Sequence, residues 1–222
     1  MKASSFAWGG AAALAVVFLA TAVSVGTAQY AFGLFIGPLV ETFGWSRTTV
    51  SASASFAAVG GLAAPLLGRA LDVYGARPVL LGSLTVMGFG FFLRPWMTEL
   101  WHWYTLSFMQ FICFAGAASL PAAKLAAAWF PQSKGKALGF ASMGNNFGGL
   151  TIPLSVTAIM AMASWREAFV ALGFVCFALG IIAWFVVRDG PAPRPSGAQS
   201  ATGQGLPSAA LTGVTASEAL RT

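Results

Sequence analysis

The stretch from Ala168 to Val187 reads AFVALGFVCFALGIIAWFVV, twenty residues without one charged side chain. About 20 consecutive apolar residues is what an α-helix needs to cross the hydrocarbon core of a bilayer. Working back from that stretch, comparable runs cover roughly 11–39, 48–67, 79–97, 103–128 and 137–161. Short polar segments separate them: Glu41–Arg47, Gly68–Pro78, Trp96–Trp103, Trp129–Lys136 and Ser164–Glu167. The composition agrees, with 57% hydrophobic and only 8% charged residues, where a soluble domain carries about 25% charged. Transmembrane β-strands would show short alternating segments, and these runs are too long and too uniform for that. A helix satisfies its own backbone hydrogen bonds in lipid. The expected fold class is therefore all-α and integral to the membrane, with six transmembrane helices.

The formal charge of +6 does not point to nucleic acid, because the basic residues form no patch. They stand singly or in pairs at the ends of apolar runs, where topology needs them. With the amino terminus inside, the inner segments hold Lys2, Arg69, Arg77, Lys124, Lys134, Lys136, Arg188, Arg194 and Arg221, and the outer segments hold Arg47, Arg94 and Arg166. Nine against three sets the orientation: a multi-pass protein of the cell (inner) membrane with both termini cytoplasmic. Trp45, Trp96, Trp101, Trp103, Trp129 and Trp165 fall at the ends of the spans, as an interfacial aromatic belt requires. The first run continues past Ala28 to Pro38, which suits a span better than a cleaved signal peptide.

Cys113 and Cys176 lie inside apolar runs and read as buried free thiols, and His102 is the only histidine. No metal site or cofactor is expected. An embedded enzyme would need convergent nucleophile, acid/base or metal groups, and no Asp or Glu falls inside a span. After Arg188 the chain becomes rich in Pro, Gly, Ser, Thr and Ala, so residues 1–189 read as the transmembrane bundle and 190–222 as a flexible cytoplasmic tail or linker.

The second and fifth runs share a heptapeptide. Gly60-Gly61-Leu62-Ala63-Ala64-Pro65-Leu66 matches Gly148-Gly149-Leu150-Thr151-Ile152-Pro153-Leu154 at five of seven positions. The second run heads inward and the fifth outward, so the match suggests an inverted three-plus-three repeat, a transporter signature. Paired glycines let neighbouring helices approach closely, and Pro65 and Pro153 permit bending.

The loop between the second and third runs is Gly68-Arg69-Ala70-Leu71-Asp72-Val73-Tyr74-Gly75-Ala76-Arg77. It resembles the signature loop of the major facilitator superfamily: a glycine, an aspartate four residues on, a glycine three further, then a basic residue. Val73 and Ala76 depart from the family, which often has basic residues there, and this weakens the latch. Gly68 allows close packing, Gly75 a sharp turn. Asp72 can accept amide hydrogen bonds, pair with Arg77 or face a helix amino terminus. Phe43-Gly44-Trp45-Ser46-Arg47, Trp129-Phe130-Pro131, Lys136-Ala137-Leu138-Gly139 and Trp165-Arg166 look like the monocarboxylate and oxalate–formate branch. The resemblance covers roughly 14–188. Glu218-Ala219-Leu220-Arg221-Thr222 looks like the lead into that family's seventh helix.

This resemblance implies half of a twelve-helix carrier, moving a small organic anion such as a monocarboxylate or dicarboxylate, as antiporter or symporter. Its partners would be the bilayer and a missing carboxy-terminal six-helix half or a second copy of the chain. A fragment of a longer carrier is the leading expectation. A non-transporting adaptor or receptor built on a standalone half is the alternative.

Polar side chains inside spans are costly and so are functional candidates. Gln29 and Tyr30 lie in the second half of span one; relatives carrying small carboxylates have a similar pair lining the cavity, and the resemblance carries that role over. Asn145 and Asn146 lie in span five, and adjacent helical residues point about 100° apart, so at most one faces a cavity, with Asn145 favoured. Lys124 either snorkels toward the inner interface or attracts an anion along the pathway. Arg94, near Trp96 and Glu99, reads as a snorkelling residue at the outer interface.

Overall fold

The computed structural model describes residues 2–189, with side chains from Gly9 onward. The expected tail, 190–222, with Arg194, Arg221 and the Glu218–Thr222 segment, lies outside the described residues. Span one consists of α1 (Lys2–Val25), a π-helical turn Gly26–Ala31 and α2 (Phe32–Phe43). Span two joins α3 (Arg47–Ala52) through a 3-10 turn Ser53–Ser55 to α4 (Phe56–Tyr74). Span three is α5 (Ala76–Leu93) with a 3-10 turn Arg94–Trp96. Span four is α6 (Leu100–Ala117) and α7 (Ser119–Trp129), span five is α8 (Lys134–Met162), and span six is α9 (Trp165–Val186).

The fold class is all-α, and no strand occurs among the described residues. Five of the six spans are both long and apolar enough to cross a bilayer, with mean hydropathies between 1.5 and 2.6. The exception is α8. At 29 residues it is long enough, but Asn145, Asn146 and its glycines, serines and threonines dilute its apolar character.

The ends of the spans follow local chemistry. Ser46 caps α3 by accepting from the Thr49 amide at 3.0 Å. Ser164 caps α9 by accepting from the Arg166 amide at 3.2 Å. Glu99 and His102 form a reciprocal capping box on α6. Gly44, at φ 70°, ends α2, and Gly75, at φ 93°, turns the chain from α4 into α5, a backbone region that glycine enters without a Cβ penalty.

The packing has an internal symmetry. Span one lies along span five and span four along span two, and span three lies along span six; span three also contacts span four, as span six contacts span one. Exchanging spans one, two and three with four, five and six leaves this set of pairings unchanged. The matched glycines sit at corresponding contacts. A Cβ on Gly60 would overlap the carbonyl oxygen of Phe111 in span four, and a Cβ on Gly148 would overlap the carbonyl oxygen of Ala22 in span one. The heptapeptide match therefore marks an inverted repeat in three dimensions, with each first glycine admitting the backbone of a neighbouring helix. The core between the spans holds an aromatic cluster. Phe35 stacks on Phe169 at 4.0 Å, and Phe91 lies 6.3 Å from Phe169 on the other side.

Gly148→Ala and Gly60→Ala should each cost roughly 1–3 kcal/mol, the usual penalty for overpacking. Gly61→Ala is the control, because nothing lies within 4 Å of a Cβ there. Thermal unfolding in detergent micelles checks this, and equal melting temperatures for all three variants would remove the helix-contact role.

Candidate functional site

Two cavities open on one side of the bundle, and Gln29 lines both. The π-helical turn accounts for this. A wide i→i+5 turn inserts an extra residue into the helical ladder and re-aims the side chains it carries. The turn is held by span five: a Cβ on Gly26 would stand 2.6 Å from Ile152 Cγ1 and 2.7 Å from the Gly148 oxygen. The larger cavity, about 450 Å³, lies between spans one, two and four and is walled by small residues such as Ala54, Ala57, Gly60 and Gly61, with Phe111 and Phe114. The smaller, about 180 Å³, lies between spans one, four and five; its polar lining is Thr21, Gln29, Ser119, Ser142 and Asn145.

Of the five expected pathway residues, Gln29 and Asn145 line a shared cavity. Asn146 is exposed and lines neither of these two cavities. Tyr30 is 48% exposed and lays its ring over Gly149, with the ring carbons 3.0–3.1 Å from where a Cβ would be. Lys124 is elsewhere: its ammonium donates to the Leu71 carbonyl and lies 3.9 Å from Asp72 Oδ1. It lies at the end of α4 rather than in either cavity.

The loop residues are arranged differently from a simple Asp72–Arg77 pair. Arg77 lies over the Trp184 ring at 4.0 Å. The Asp72 side chain is 83% exposed, so its ion pair with Lys124 contributes on the order of 0–1 kcal/mol. The amino terminus of α5 is taken by a residue from outside the motif: Asp189 accepts from the Ala76 amide and lies against Gly75, where a Cβ would collide with its carboxylate. Trp129 Nε1 donates to the Arg188 carbonyl at 3.0 Å. Spans two, three, four and six are thus tied together at one end of the bundle. Gly68 has open space around its Cβ position, so close helix packing is not its role within this bundle.

Arg94 corrects the sequence expectation most sharply. It does not snorkel; it is 3% exposed. Its Nη2 donates to Gln110 Oε1 at 2.8 Å and to Ser107 Oγ at 3.3 Å. The guanidinium carbon lies 4.7 Å from the Trp103 ring, 4.8 Å from Phe169 and 5.1 Å from Phe91. Its Nε has no hydrogen-bond partner, and among the described residues no carboxylate pairs with it. Trp103 extends the cluster, donating from Nε1 to Val50 O at 3.2 Å and Ser53 Oγ at 3.1 Å, which holds the 3-10 turn of span two. Trp103, Ser107 and Gln110 share one face of α6, and that stripe inside an apolar run was the available signal.

A bundle of apolar helices with an inverted repeat around a polar cleft is the architecture of a membrane transporter half. The comparisons with known proteins agree. Residues 10–221 match the model of the Major Facilitator Superfamily, and the chain belongs to that superfamily. It is 32% identical over 142 residues to "MFS transporter asaE" of Aspergillus flavus, covering 61% of this chain and 31% of that protein. It is 29% identical over 134 residues to "Fujikurins efflux protein" of Gibberella fujikuroi, covering 59% and 28%. It is 29% identical over 162 residues to "Probable anion transporter 3, chloroplastic" of Oryza sativa subsp. japonica, covering 70% and 30%. The chain spans less than a third of the length of these relatives.

Arg94→Lys should be more damaging than Arg94→Met. Lysine keeps the buried charge but loses the planar stacking and the forked hydrogen bonds, a cost of about 3 kcal/mol. Methionine fills the box without the charge. Melting temperatures in detergent test the order; a lysine variant as stable as the parent would show that the aromatic box holds any cation.

Proposed function

We propose that this chain forms one wall of a secondary active transporter that moves a small organic anion across the membrane by alternating access. The observation that carries the reading is Gln29, turned by the π-helical turn into a cleft that Asn145 also lines. Amide groups can donate hydrogen bonds to a carboxylate without the cost of a buried charge. The likeness of the signature segments to the monocarboxylate and oxalate–formate branch supports the anionic class, as does the name of the rice relative, an anion transporter. Two relatives are named for fungal transport or efflux instead.

In this reading Gln29 and Asn145 meet the substrate in the cleft, and Tyr30 and Asn146, on the exposed side, meet it or the facing wall. The second wall is a six-helix half or a second copy of the chain, and the two rock about the central cleft. Gly68, Asp72, Gly75 and Arg77 form the cytoplasmic gate with Lys124. Asp72, largely free within this bundle, is available to the opposite wall when the inner side closes. Residues 1–189 act as the bundle and 190–222 as the linker, with both ends cytoplasmic in the cell membrane.

The test is uptake of labelled formate, oxalate, lactate and pyruvate into liposomes holding the chain with and without a carboxy-terminal six-helix half. Gln29→Leu should reduce uptake at least tenfold while the protein still inserts. Asp72→Asn should slow uptake severalfold without changing the half-saturation concentration. Uptake of all four acids indifferent to Gln29→Leu would remove the cleft from the pathway.

A further inference from the structure

The two ends of the bundle differ in charge among the described residues. The end where α4 turns into α5, α7 meets α8 and α9 stops carries Arg69, Arg77, Lys124, Lys134, Lys136 and Arg188 against Asp72 and Asp189. The opposite end is balanced, with Arg47, Arg94 and Arg166 against Glu41, Glu99 and Glu167. Neither carboxylate of the first end neutralises Arg77. Asp189 accepts from the Ala76 amide, and Asp72 stands beside Lys124. Among the described residues no carboxylate lies within ion-pair distance of Arg77.

Arg77 is set differently from the other cations at this end. Its guanidinium carbon lies 4.0 Å from the centroid of the Trp184 ring. Its Nε is closed off without an acceptor, whereas its terminal nitrogens are not closed off, and no described residue accepts from them. The donors of a guanidinium lie in its plane. With the indole over one face, an acceptor is met at the edge that the terminal nitrogens form. Ordering by the ring also lowers the entropy that a ligand must overcome.

A phosphate oxygen suits that edge, and the surroundings say what the phosphate is attached to. Trp184 is 41% exposed, Ile181 58% and Phe185 72%. All three lie in the last turns of a helix long and apolar enough to cross a bilayer. Ile181, Trp184, Phe185 and Arg188 follow helical spacing and form one stripe. Arg188 is exposed, and the residue after it, Asp189, is bonded to the neighbour of Arg77. Two cations therefore stand where the apolar stripe of α9 ends, which is where a phospholipid changes from chain to headgroup.

We propose that Arg77, stacked on Trp184, and Arg188 form a headgroup site for an anionic phospholipid, with an acyl chain along Ile181 and Phe185. A lipid of net negative charge is preferred over phosphatidylcholine, whose ammonium would bring a third cation to this corner. The inference rests on the bundle crossing a bilayer and not on which solute is carried.

The experiment titrates the full chain in detergent micelles with phosphatidylglycerol and phosphatidylcholine of identical chains, and reads bound lipid by native mass spectrometry. Phosphatidylglycerol should bind roughly fivefold or more tightly than phosphatidylcholine. Arg77→Gln and Trp184→Leu should each weaken phosphatidylglycerol by roughly three- to tenfold and leave phosphatidylcholine unchanged. Lys134→Gln, which removes an exposed cation at the start of α8, should change neither. Arg77→Lys keeps the charge without the planar fork and should weaken phosphatidylglycerol about threefold; it carries the test if Arg77→Gln does not fold. Equal binding of the two lipids, or an equal loss in Lys134→Gln and Arg77→Gln, would overturn the site. Displacement of phosphatidylglycerol by glycerol phosphate at the same concentration would overturn the lipid assignment in favour of a soluble anion. A lysine variant that binds phosphatidylglycerol as tightly as the parent would overturn the role of the stacked guanidinium.

Discussion

The packing of this bundle depends on places where one helix backbone touches another. Gly148 lies under the Ala22 carbonyl and Gly60 under the Phe111 carbonyl. Lipid tails are as apolar as leucine side chains, so burying leucine against leucine gives little reason for helices to associate in a bilayer. Close approach does, because it multiplies short-range contacts that lipid cannot reproduce. The glycines also set the register of span one against span five. Gly144 lies at the Phe18 carbonyl, Gly148 at Ala22, and Gly26 fits against Gly148 and Ile152. That spacing of four on both helices ends where span one opens into its π-helical turn. Thr21, Val25, Ala141 and Asn145, interleaved with these contacts, line the smaller cavity, so the glycine contact and the cleft lie side by side on the same pair of spans.

The sequence was most legible where the physics is one-dimensional. Span number, loop positions and the glycine repeat follow from hydropathy and local identity, and the structure has them. The π-helical turn at Gly26–Ala31 left no local mark, since it arises from how span five presses on span one. Asn145 was separable from Asn146 only as a weak preference, because 100° on a helix wheel does not say where the wheel faces. For Lys124 the sequence left two readings, snorkelling or attracting an anion; its depth from Trp129 could be counted, and its ammonium reaches the end of α4, on the Leu71 carbonyl and beside Asp72, as snorkelling requires. Arg94 was read from its neighbours in sequence, Trp96 and Glu99, whereas its partners come from spans three, four and six.

The two ends of the bundle are fastened by different chemistry. At one end, a buried guanidinium is enclosed by three aromatic rings and two polar side chains. Trp165 and Arg166 add hydrogen bonds to Thr42 and to the Pro95 carbonyl, each at 3.2 Å. Taking such a cluster apart would expose a charge to lipid or strand it without partners. The other end relies on Asp189, Lys124 and Trp129 bonded to backbone groups, with Asp72 exposed beside them. Those groups can exchange partners with water or with another chain at small cost. The spans are therefore secured most firmly where water is excluded, and the adaptable contacts lie where water is available.

The same economy governs the cleft. A permanently charged side chain at mid-membrane would have to be solvated in every state of the cycle, including the empty one. The lining here avoids that. Its hydroxyls and amides can bond water when the cavity is empty. Lys124, a cation that the sequence left as a candidate for this purpose, has its charge beside Asp72 and water at the end of α4, so the cleft lining stays neutral.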